Sequence, residues 1–392
     1  MELTEKEQRM LDGEMGEGKQ KAMEILSALA KIYGAERMVP VSSVQVAGVS
    51  YKTIGDAGLE FLQGFAKLEG ASAEVPAFLN PMGMDRFDWK KQRVPHEFAG
   101  KQIDIMHAYT SMGISSTCTC APYLIGIRPK AGEHIAWAES SAVIFANSVL
   151  GARTNREGGP SALCAAIAGV TPEYGMHLEE NRVADFVVKV EAKLSSRFDY
   201  GALGGVVAVK SKGKKIPAFR ALAGGEDELK YLGAALASWG GSPMFMAQGI
   251  TPEWSVGPDA EELVVTKEDL EQFRGKVDEA NGRSDIVTLG CPHASMDEIR
   301  EIARIVKGKK LKRALWVCCS REIKKKAKGE GLAEIIEKAG GQLVADTCMV
   351  VSPLEKMGYS VTGTNSGKAA KYLPNLCKQR VAFGKLEDIL YR

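Results

Sequence analysis

The chain has 392 residues, of which 45% are hydrophobic and 26% charged, a composition typical of soluble globular proteins and long enough for two or three domains. The 51 basic residues nearly balance the 49 acidic ones, and this net charge of +2 argues against a dedicated nucleic-acid-binding protein. No apolar run of about 18 residues is present and the charged N-terminus lacks the apolar core of a signal peptide, so we expect no membrane span and a cytoplasmic location.

The first part of the chain is predicted to alternate helices with short strands. Thr4 and Glu7 form a capping-box pattern at the start of one helix, and a second helix is predicted over Lys19–Ala35. The β-rich segment Met38–Val46 follows, and a third helix is predicted over Asp56–Lys67. These patterns predict an α/β fold for this region.

Two Ala-rich helices are predicted in the middle of the chain, over Trp137–Leu150 and Pro160–Ala168. The glycine-rich loop Gly151–Gly159 lies between them. Three polar residues of this loop could contact a substrate: Arg153, Asn155 and Glu157. A solvated loop between two helices is the alternative interpretation.

Strands and helices alternate regularly after residue 280. Predicted strands are Ile286–Leu289, Ala314–Cys318, Leu343–Ala345, Tyr359–Thr362 and Val381–Phe383. One predicted helix starts at the capping box of Ser295 and Glu298, and another ends at Gly340. This alternation predicts a doubly wound parallel sheet, so we divide the chain into an N-terminal and central α/β region, 1–280, and a C-terminal α/β domain, 281–392.

Three polar segments follow predicted strands, where ligands bind in open parallel sheets. Cys291-Pro-His293 follows the first strand of the C-terminal domain, and Asp346-Thr-Cys348 follows the third. The segment Gly363–Lys368 follows the fourth strand and opens a helix, an arrangement that suits a carboxylate or phosphate. A plain glycine-rich turn with an exposed lysine is the alternative. If these strands are neighbours, two thiols and an anion-binding loop meet in one crevice.

The remaining cysteines divide into core residues and one C-x-C pair. Cys164, Cys318, Cys319 and Cys377 lie in apolar or late structural segments and are predicted to be core residues. Cys118 and Cys120 would lie on one face if their segment is a strand, whereas a loop could present either one alone.

Three thiolates gathered from distant segments suit an iron–sulfur cluster with one open iron better than a structural zinc site. A nucleophilic Cys291 beside His293 is the alternative. The five histidines show no metal-ligand spacing, and we assign them no role.

Seven segments together resemble the aconitase X family, and the resemblance extends over essentially the whole chain. They are Ala47–Ser50, Asn80–Gly83, Cys118–Tyr123, Ala138–Ser141, Gly151–Gly159, Cys291–His293 and Asp346–Cys348. The resemblance implies an aconitase-like multidomain α/β fold with doubly wound sheets and an iron-dependent hydro-lyase activity.

Members of this family dehydrate cis-3-hydroxy-L-proline in bacteria, or 5-phosphomevalonate in the archaeal-type mevalonate pathway of isoprenoid biosynthesis. The bacterial chains are typically fused to a swivelling domain, for which 392 residues leave no room. The resemblance therefore implies dehydration of (R)-5-phosphomevalonate to trans-anhydromevalonate 5-phosphate, with the swivelling domain on a separate small subunit in a heterodimer or larger assembly. No membrane or nucleic-acid partner is expected.

The same resemblance implies the residues of the site. The cluster ligands would be Cys291, Cys348 and, in preference to Cys118, Cys120. They would hold a [4Fe-4S] cluster with one open iron, and a smaller cluster or a single iron are the alternatives. Implied substrate contacts are Gly48, Val49, Ser50, Asn80, Pro81, Glu139, Ser140 and Lys368. The catalytic base is expected on the small subunit. A non-catalytic metal or redox subunit, or a transferase with Cys291 as nucleophile, are alternatives of a different class.

Overall fold

Three parallel β-sheets, each flanked by helices, make up the computed structural model, which describes residues 1–391. Two further strands pair antiparallel. None of the helices among residues 1–391 combines the length and the apolar composition that are needed to span a bilayer.

The first part of the chain folds around a small parallel sheet. Its elements are α1 (Glu5–Leu11), α2 (Glu17–Tyr33), β1 (Met38–Pro40), β2 (Val44–Val46), α3 (Tyr51–Phe65), β3 (Ala77–Leu79), α4 (His96–Ser111), β4 (Ala136–Trp137), α5 (Ser140–Phe145), α6 (Gly159–Ala168) and β5 (Val170–Pro172). The sheet has the order β3-β2-β4, and β1 pairs with β5.

One predicted helix start agrees with the structure and another does not. The Ser50 side chain accepts a hydrogen bond from the backbone N–H of Lys52 and caps a first helical turn of α3, but Gly55 is non-helical (φ 60°, ψ −162°), so the continuous helix begins after this kink at Asp56, as predicted. The prediction that Trp137 starts a helix is wrong. Trp137 pairs with Gln45 of β2, and the helix begins only at Ser140.

The middle part of the chain forms a second parallel sheet with two closely packed helices. Its elements are β6 (Ala184–Val190), α7 (Arg197–Lys210), β7 (Pro217–Phe219), α8 (Glu226–Gly240), β8 (Met246–Ala247), β9 (Val256–Val265) and α9 (Lys267–Val277). The sheet has the order β8-β7-β6-β9. Helices α7 and α8 approach closely at Gly204, where an added Cβ would lie 2.5 Å from the carbonyl oxygen of Leu232.

The last part of the chain confirms the predicted doubly wound sheet. Its elements are β10 (Ile286–Leu289), α10 (Met296–Val306), β11 (Ala314–Cys319), α11 (Arg321–Gly329), α12 (Leu332–Ala339), β12 (Gly341–Ala345), β13 (Val361–Thr364), α13 (Gly367–Cys377), β14 (Arg380–Phe383) and α14 (Leu386–Tyr391). All five strands are parallel. Residues of β11 alternate between two hydrophobic cores, with Trp316 and Cys318 in one and Leu315 and Val317 in the other.

The strand order β12-β11-β10-β13-β14 places a topological switch point between β10 and β13. Helical connections leave these two neighbouring strands toward opposite sides, so a crevice opens beyond their carboxyl ends. Cys291 follows β10, and the segment Gly363–Lys368 runs from β13 into α13. The fold therefore brings two of the polar segments selected from the sequence to one crevice.

A buried charge cluster joins the first sheet to the last one. Asp85, in the loop after β3, is completely buried and accepts hydrogen bonds from Arg321 Nη2 at 2.7 Å, Lys324 Nζ at 2.9 Å and the backbone N–H of Ala345 at 3.0 Å. Burial raises the pKa of this carboxyl, but Lys324 and Arg321 outweigh it and lower the pKa to about 2. Asp85 therefore remains ionised between the two sheets.

We expect Asp85→Asn to lower the free energy of unfolding by about 2 kcal/mol at pH 7, because the buried Lys324 and the partly buried Arg321 each lose one of two carboxylate partners. The folded-state pKa of Asp85 lies below its unfolded value, so its stabilisation is complete above about pH 4 and is lost as the pH falls toward 2. Urea unfolding should thus show a difference between wild type and variant that is constant near neutral pH and shrinks below about pH 4.

The matched control is Asp297→Asn, which removes a carboxylate that pairs with Arg300 at the surface. It should change the free energy of unfolding by no more than about 0.5 kcal/mol. Equal losses from the two variants would contradict a linking role for Asp85.

Candidate active site

An ion pair between Glu139 and Lys368 lies at the centre of the candidate site. Glu139 ends the segment after β4 and caps α5, and Lys368 lies in the first turn of α13. The second Glu139 oxygen accepts from Asn80 Nδ2 at 2.7 Å, and Lys368 Nζ also donates to Ser141 Oγ at 3.0 Å. Residues 80, 139 and 368, separated widely in the sequence, are thus in direct contact.

The two charges fix each other's ionisation state. Burial raises the pKa of Glu139, but Lys368 and the hydrogen bond from Asn80 outweigh it and bring the pKa to about 2. Burial lowers the pKa of Lys368, and the Glu139 carboxylate outweighs that effect and raises it well above the usual value. The site therefore contains a buried ammonium group that keeps its charge at neutral pH.

Asn80 and Pro81 border this pair from the end of β3. The side-chain oxygen of Asn80 is buried and has no hydrogen-bond partner among residues 1–391. Pro81 precedes Met82, whose backbone N–H donates to the carbonyl oxygen of Asp346 at 2.7 Å and whose carbonyl accepts from the N–H of Cys348 at 2.9 Å. The end of β3 therefore lies beside the Cys348 segment and presents an unused acceptor.

Cys120, Cys291 and Cys348 converge on the same region from three loops. The side chains of Cys120 and Cys291 are 4% exposed, and Cys348 is partly exposed. Burial raises the pKa of all three thiols, to about 12 for Cys120. The three thiols also lie within each other's electrostatic field, which raises the pKa of Cys120 and Cys348 further, while Lys368 opposes the rise. Their thiolate forms therefore need additional positive charge nearby.

The structure separates Cys120 from Cys118. Residues 118–120 form a loop rather than a strand, and Cys118 adopts a positive φ of 45°. Cys118 packs into the core of the first sheet, where Asp346 is the charge that raises its pKa most, whereas Cys120 lies within the field of Lys368 and Cys291. Of the C-x-C pair, only Cys120 joins the other two thiols. The predicted core cysteines are buried: Cys164, Cys318, Cys319 and Cys377.

His293, a residue without a predicted role, connects the three cysteine segments. Its Nε2 lies 2.9 Å from the carbonyl oxygen of Thr347 and its Nδ1 lies 3.0 Å from Thr119 Oγ1. Its backbone N–H donates to Cys120 Sγ at 3.2 Å. A carbonyl can only accept, so Nε2 carries the proton, and burial lowers the pKa of the ring to about 4, which keeps it neutral. The sequence signal was its position two residues after Cys291.

Two features fix the backbone at Cys291. Ser366 caps α13 and donates a hydrogen bond to the carbonyl oxygen of Cys291. Gly290 has a φ of 83°, and a Cβ at this position would lie 2.1 Å from the carbonyl oxygen of Cys318. Only glycine fits there, so this close approach determines how the chain leaves β10 toward Cys291.

The segment Gly48–Ser50 borders the site from the end of β2. Ser50 Oγ donates to the carbonyl oxygen of Val351 at 2.8 Å, which links it to the loop after Cys348. The carbonyl oxygen of Val49 accepts from Gln102 Nε2 at 2.6 Å. Gly48 has a φ of 76° and lies beside Gly159 at the start of α6. Ser140, the remaining predicted contact, donates to Glu139 at 3.3 Å.

The three polar side chains predicted to contact a substrate in the loop Gly151–Gly159 make hydrogen bonds within the protein. Arg153 donates to the carbonyl oxygen of His177 at 3.3 Å, and Asn155 bonds the backbone of Tyr174 and Met176. The buried Glu157 accepts from Ser161 at 2.6 Å and from Thr171 at 3.0 Å. Their side chains are therefore occupied, and neither a substrate contact nor a solvated loop describes Asn155 and Glu157.

The three converging thiols are the residues that could hold a metal cofactor. No group of three or more His, Cys, Asp or Glu side chains within residues 1–391 is arranged to hold a single metal ion. Soft thiolate donors suit an iron–sulfur cluster, which accepts ligands at several irons rather than at one point. The three thiols thus fit an iron–sulfur cluster, and the unused oxygen of Asn80 fits a polar molecule bound beside it.

Family models and related proteins match this chain over nearly its whole length. Family models described as the first, second and third domains of aconitase X match residues 1–180, 184–275 and 284–392. The chain is 49% identical to the phosphomevalonate dehydratase large subunit of Methanocaldococcus jannaschii, covering 100% of this chain and 99% of that one. Relatives of that name range from 39% to 51% identity.

Two further comparisons bear on the fold and on the activity. The crystal structure of Thermococcus kodakaraensis aconitase X in its holo-form has a TM-score of 0.92 and 45% identity, covering 100% of this chain and 99% of that chain. The cis-3-hydroxy-L-proline dehydratase of Pseudomonas aeruginosa is 36% identical, and the match covers 97% of this chain but 68% of that protein. The fold and the domain order are therefore those of aconitase X proteins.

We expect Glu139→Gln and Lys368→Met each to lower the free energy of unfolding by about 3 kcal/mol, because each leaves a buried charge unpaired. The double variant should lose less free energy of unfolding than the two single variants lose together. The difference, measured by urea unfolding at pH 7, should be about 1 to 3 kcal/mol. The control is Lys371→Met, on the same helix as Lys368. It removes a cation that lies over the ring of Trp239 and should lower the free energy of unfolding by about 0.5 to 1 kcal/mol. Strictly additive losses would contradict the pairing.

Proposed function

The chain belongs to the aconitase X family, and we propose that it is the large subunit of a phosphomevalonate dehydratase. This iron-dependent hydro-lyase removes water from (R)-5-phosphomevalonate and gives trans-anhydromevalonate 5-phosphate, a step of the archaeal-type mevalonate pathway. The observation that carries the proposal is the end-to-end match with large subunits of that name. The proposed partner is a small subunit with the swivelling domain, in a heterodimer or larger assembly in the cytoplasm.

Family membership suggests an iron–sulfur cluster, and the arrangement of thiols supports Cys120, Cys291 and Cys348 as its ligands. We propose a [4Fe-4S] cluster, because three protein thiolates leave one of four irons open. Such an iron, when bound, acts as a Lewis acid toward the substrate hydroxyl that leaves. The backbone N–H of His293 donates to Cys120 Sγ and helps to hold this ligand in place.

The residues around the thiols supply the remaining polar contacts of the substrate. The buried Lys368 ammonium stabilises the negative charge that develops on the substrate carboxylate as C2 loses its proton. The unused side-chain oxygen of Asn80 accepts a hydrogen bond from the substrate hydroxyl. Glu139 keeps both groups in position. The other proposed contacts are Gly48, Val49, Ser50, Pro81 and Ser140.

A base for the C2 proton is expected from the small subunit. A useful general base has a pKa near the working pH. Glu139, with a pKa of about 2, is too weak a base, and Lys368 is protonated. Both ring nitrogens of His293 are engaged in hydrogen bonds, so it cannot serve either. The same bonds prevent His293 from activating Cys291, whose thiol pKa is raised by burial, and this argues against a cysteine-nucleophile transferase.

The activity test uses the complex of this chain with its small subunit, purified without oxygen. We expect turnover of (R)-5-phosphomevalonate and little or no turnover of cis-3-hydroxy-L-proline, each followed by chromatography of the product. The isolated large subunit should be inactive, because the base is missing. Turnover of hydroxyproline alone would favour the alternative dehydratase activity, and a complex inactive on both substrates would favour a non-catalytic metal subunit.

The cluster test compares iron and sulfide contents and the broad visible absorption of cysteine variants of that complex. Cys120→Ala, Cys291→Ala and Cys348→Ala should each lose most of the iron, since each removes a ligand. Cys118→Ala, only two residues from Cys120, is the matched control and should keep wild-type iron and sulfide. Retention of the cluster by Cys120→Ala together with its loss in Cys118→Ala would reverse the assignment of the third ligand.

A further inference from the structure

Arg156 is a cation without a protein partner beside the candidate active site. It lies in the loop between α5 and α6 and is exposed. No hydrogen bond or ion pair joins its guanidinium group to another residue in the described part of the chain. The neighbouring Asn155 and Glu157, by contrast, are fully engaged in structural contacts. A fixed loop thus presents one free arginine.

The backbone on both sides of Arg156 is anchored next to Glu139. The N–H of Glu157 donates to the carbonyl oxygen of Trp137 at 3.0 Å, and the N–H of Trp137 donates to Thr154 Oγ1 at 3.1 Å. Trp137 lies two residues before Glu139, at the end of β4. The charge of Arg156 also helps to lower the pKa of Glu139, which agrees with this closeness. Arg156 therefore lies at the rim of the site.

Unused backbone donors lie in the segment that packs against the end of the Arg156 loop. The backbone N–H groups of Gly48, Val49 and Ser50 donate to no acceptor among residues 1–391. Gly159, three residues after Arg156, packs against this segment, and an added Cβ there would lie 2.9 Å from the carbonyl oxygen of Ala47. Successive free N–H groups, with an arginine on the neighbouring loop, are the kind of donors that bind a phosphate.

The different burial of Lys368 and Arg156 indicates which cation binds the substrate carboxylate and which binds the phosphate. The carbon that loses the hydroxyl must lie at the buried thiols, and the substrate carboxylate is only two bonds away from it. The phosphorus atom is four bonds away, toward the outside. Lys368 is 4% exposed and lies deep, whereas Arg156 is exposed. The deep cation therefore matches the carboxylate, and the rim cation matches the phosphate.

We propose that Arg156, together with the backbone N–H groups of Gly48, Val49 and Ser50, binds the 5-phosphate of the substrate. This assignment rests on the proposed dehydratase function and names the group that selects a phosphorylated substrate. Arginine suits this role because its planar fork donates two parallel hydrogen bonds to one phosphate.

The test compares wild type, Arg156→Gln and Arg156→Lys in the complex with the small subunit. Arg156→Gln should raise KM for (R)-5-phosphomevalonate about 10- to 100-fold, the loss expected for hydrogen bonds between charged groups. It should raise the inhibition constant of inorganic phosphate similarly and leave that of unphosphorylated mevalonate unchanged. The KM of Arg156→Lys should lie between those of wild type and Arg156→Gln, because lysine keeps the charge but loses the two parallel hydrogen bonds of the guanidinium group. Arg300→Gln, which removes a surface arginine of α10, is the charge-matched control and should match wild type.

An unchanged KM in Arg156→Gln would overturn the assignment. An equal loss of affinity for inorganic phosphate and for unphosphorylated mevalonate would also overturn it, because the arginine would then act on the carboxylate or on the loop. Calorimetric titration of the wild-type and Arg156→Gln complexes with inorganic phosphate needs no turnover. Weaker phosphate binding by the variant would support the site even if the wild-type complex fails to dehydrate 5-phosphomevalonate, a failure that would count against the proposed function alone.

Discussion

The neutral imidazole of His293 holds together three segments that are distant in the sequence. Its ring bridges Thr119 and Thr347, and its backbone N–H reaches Cys120. Each of these partners adjoins or is one of the converging cysteines, and His293 itself follows Cys291 by two residues. Nε2 donates to the carbonyl oxygen of Thr347, and in the neutral ring Nδ1 accepts from the hydroxyl of Thr119. Burial lowers the pKa of this ring, so the neutral form makes this bridge at neutral pH.

Buried ion pairs couple the formation of the site to the docking of the sheets. Glu139 follows a strand of the first sheet and Lys368 follows a strand of the last, and Asp85 and Arg321 form a second pair between the same two sheets. A buried charge that loses its partner costs several kcal/mol, so the two parts of the chain are stable only in the relative position that joins both pairs. The same relative position brings the thiols together.

The last sheet was predictable in detail and the middle one was not. The strand of residues 286–289 and the helix that Ser295 caps occur as predicted, because short apolar runs and capping boxes are local patterns. The middle sheet contains strands of three and two residues, β7 and β8, which are too short to show any periodicity. Trp137 was assigned to a helix because apolar residues follow it, whereas its pairing with Gln45 is a tertiary contact.

Local sequence patterns are enough to place Cys291 and Cys348 after strands of a parallel sheet, because hydrophobic periodicity locates strand ends. The choice between Cys118 and Cys120 depends on tertiary contacts, which favour Cys120: Cys118 packs in the core of the first sheet, whereas the sulfur of Cys120 accepts a hydrogen bond from the backbone of His293. Tertiary contacts also decide which charged residue of the loop 151–159 is free. Arg156 becomes distinctive only when every neighbouring polar group has found its partner, and those partners come from distant parts of the chain.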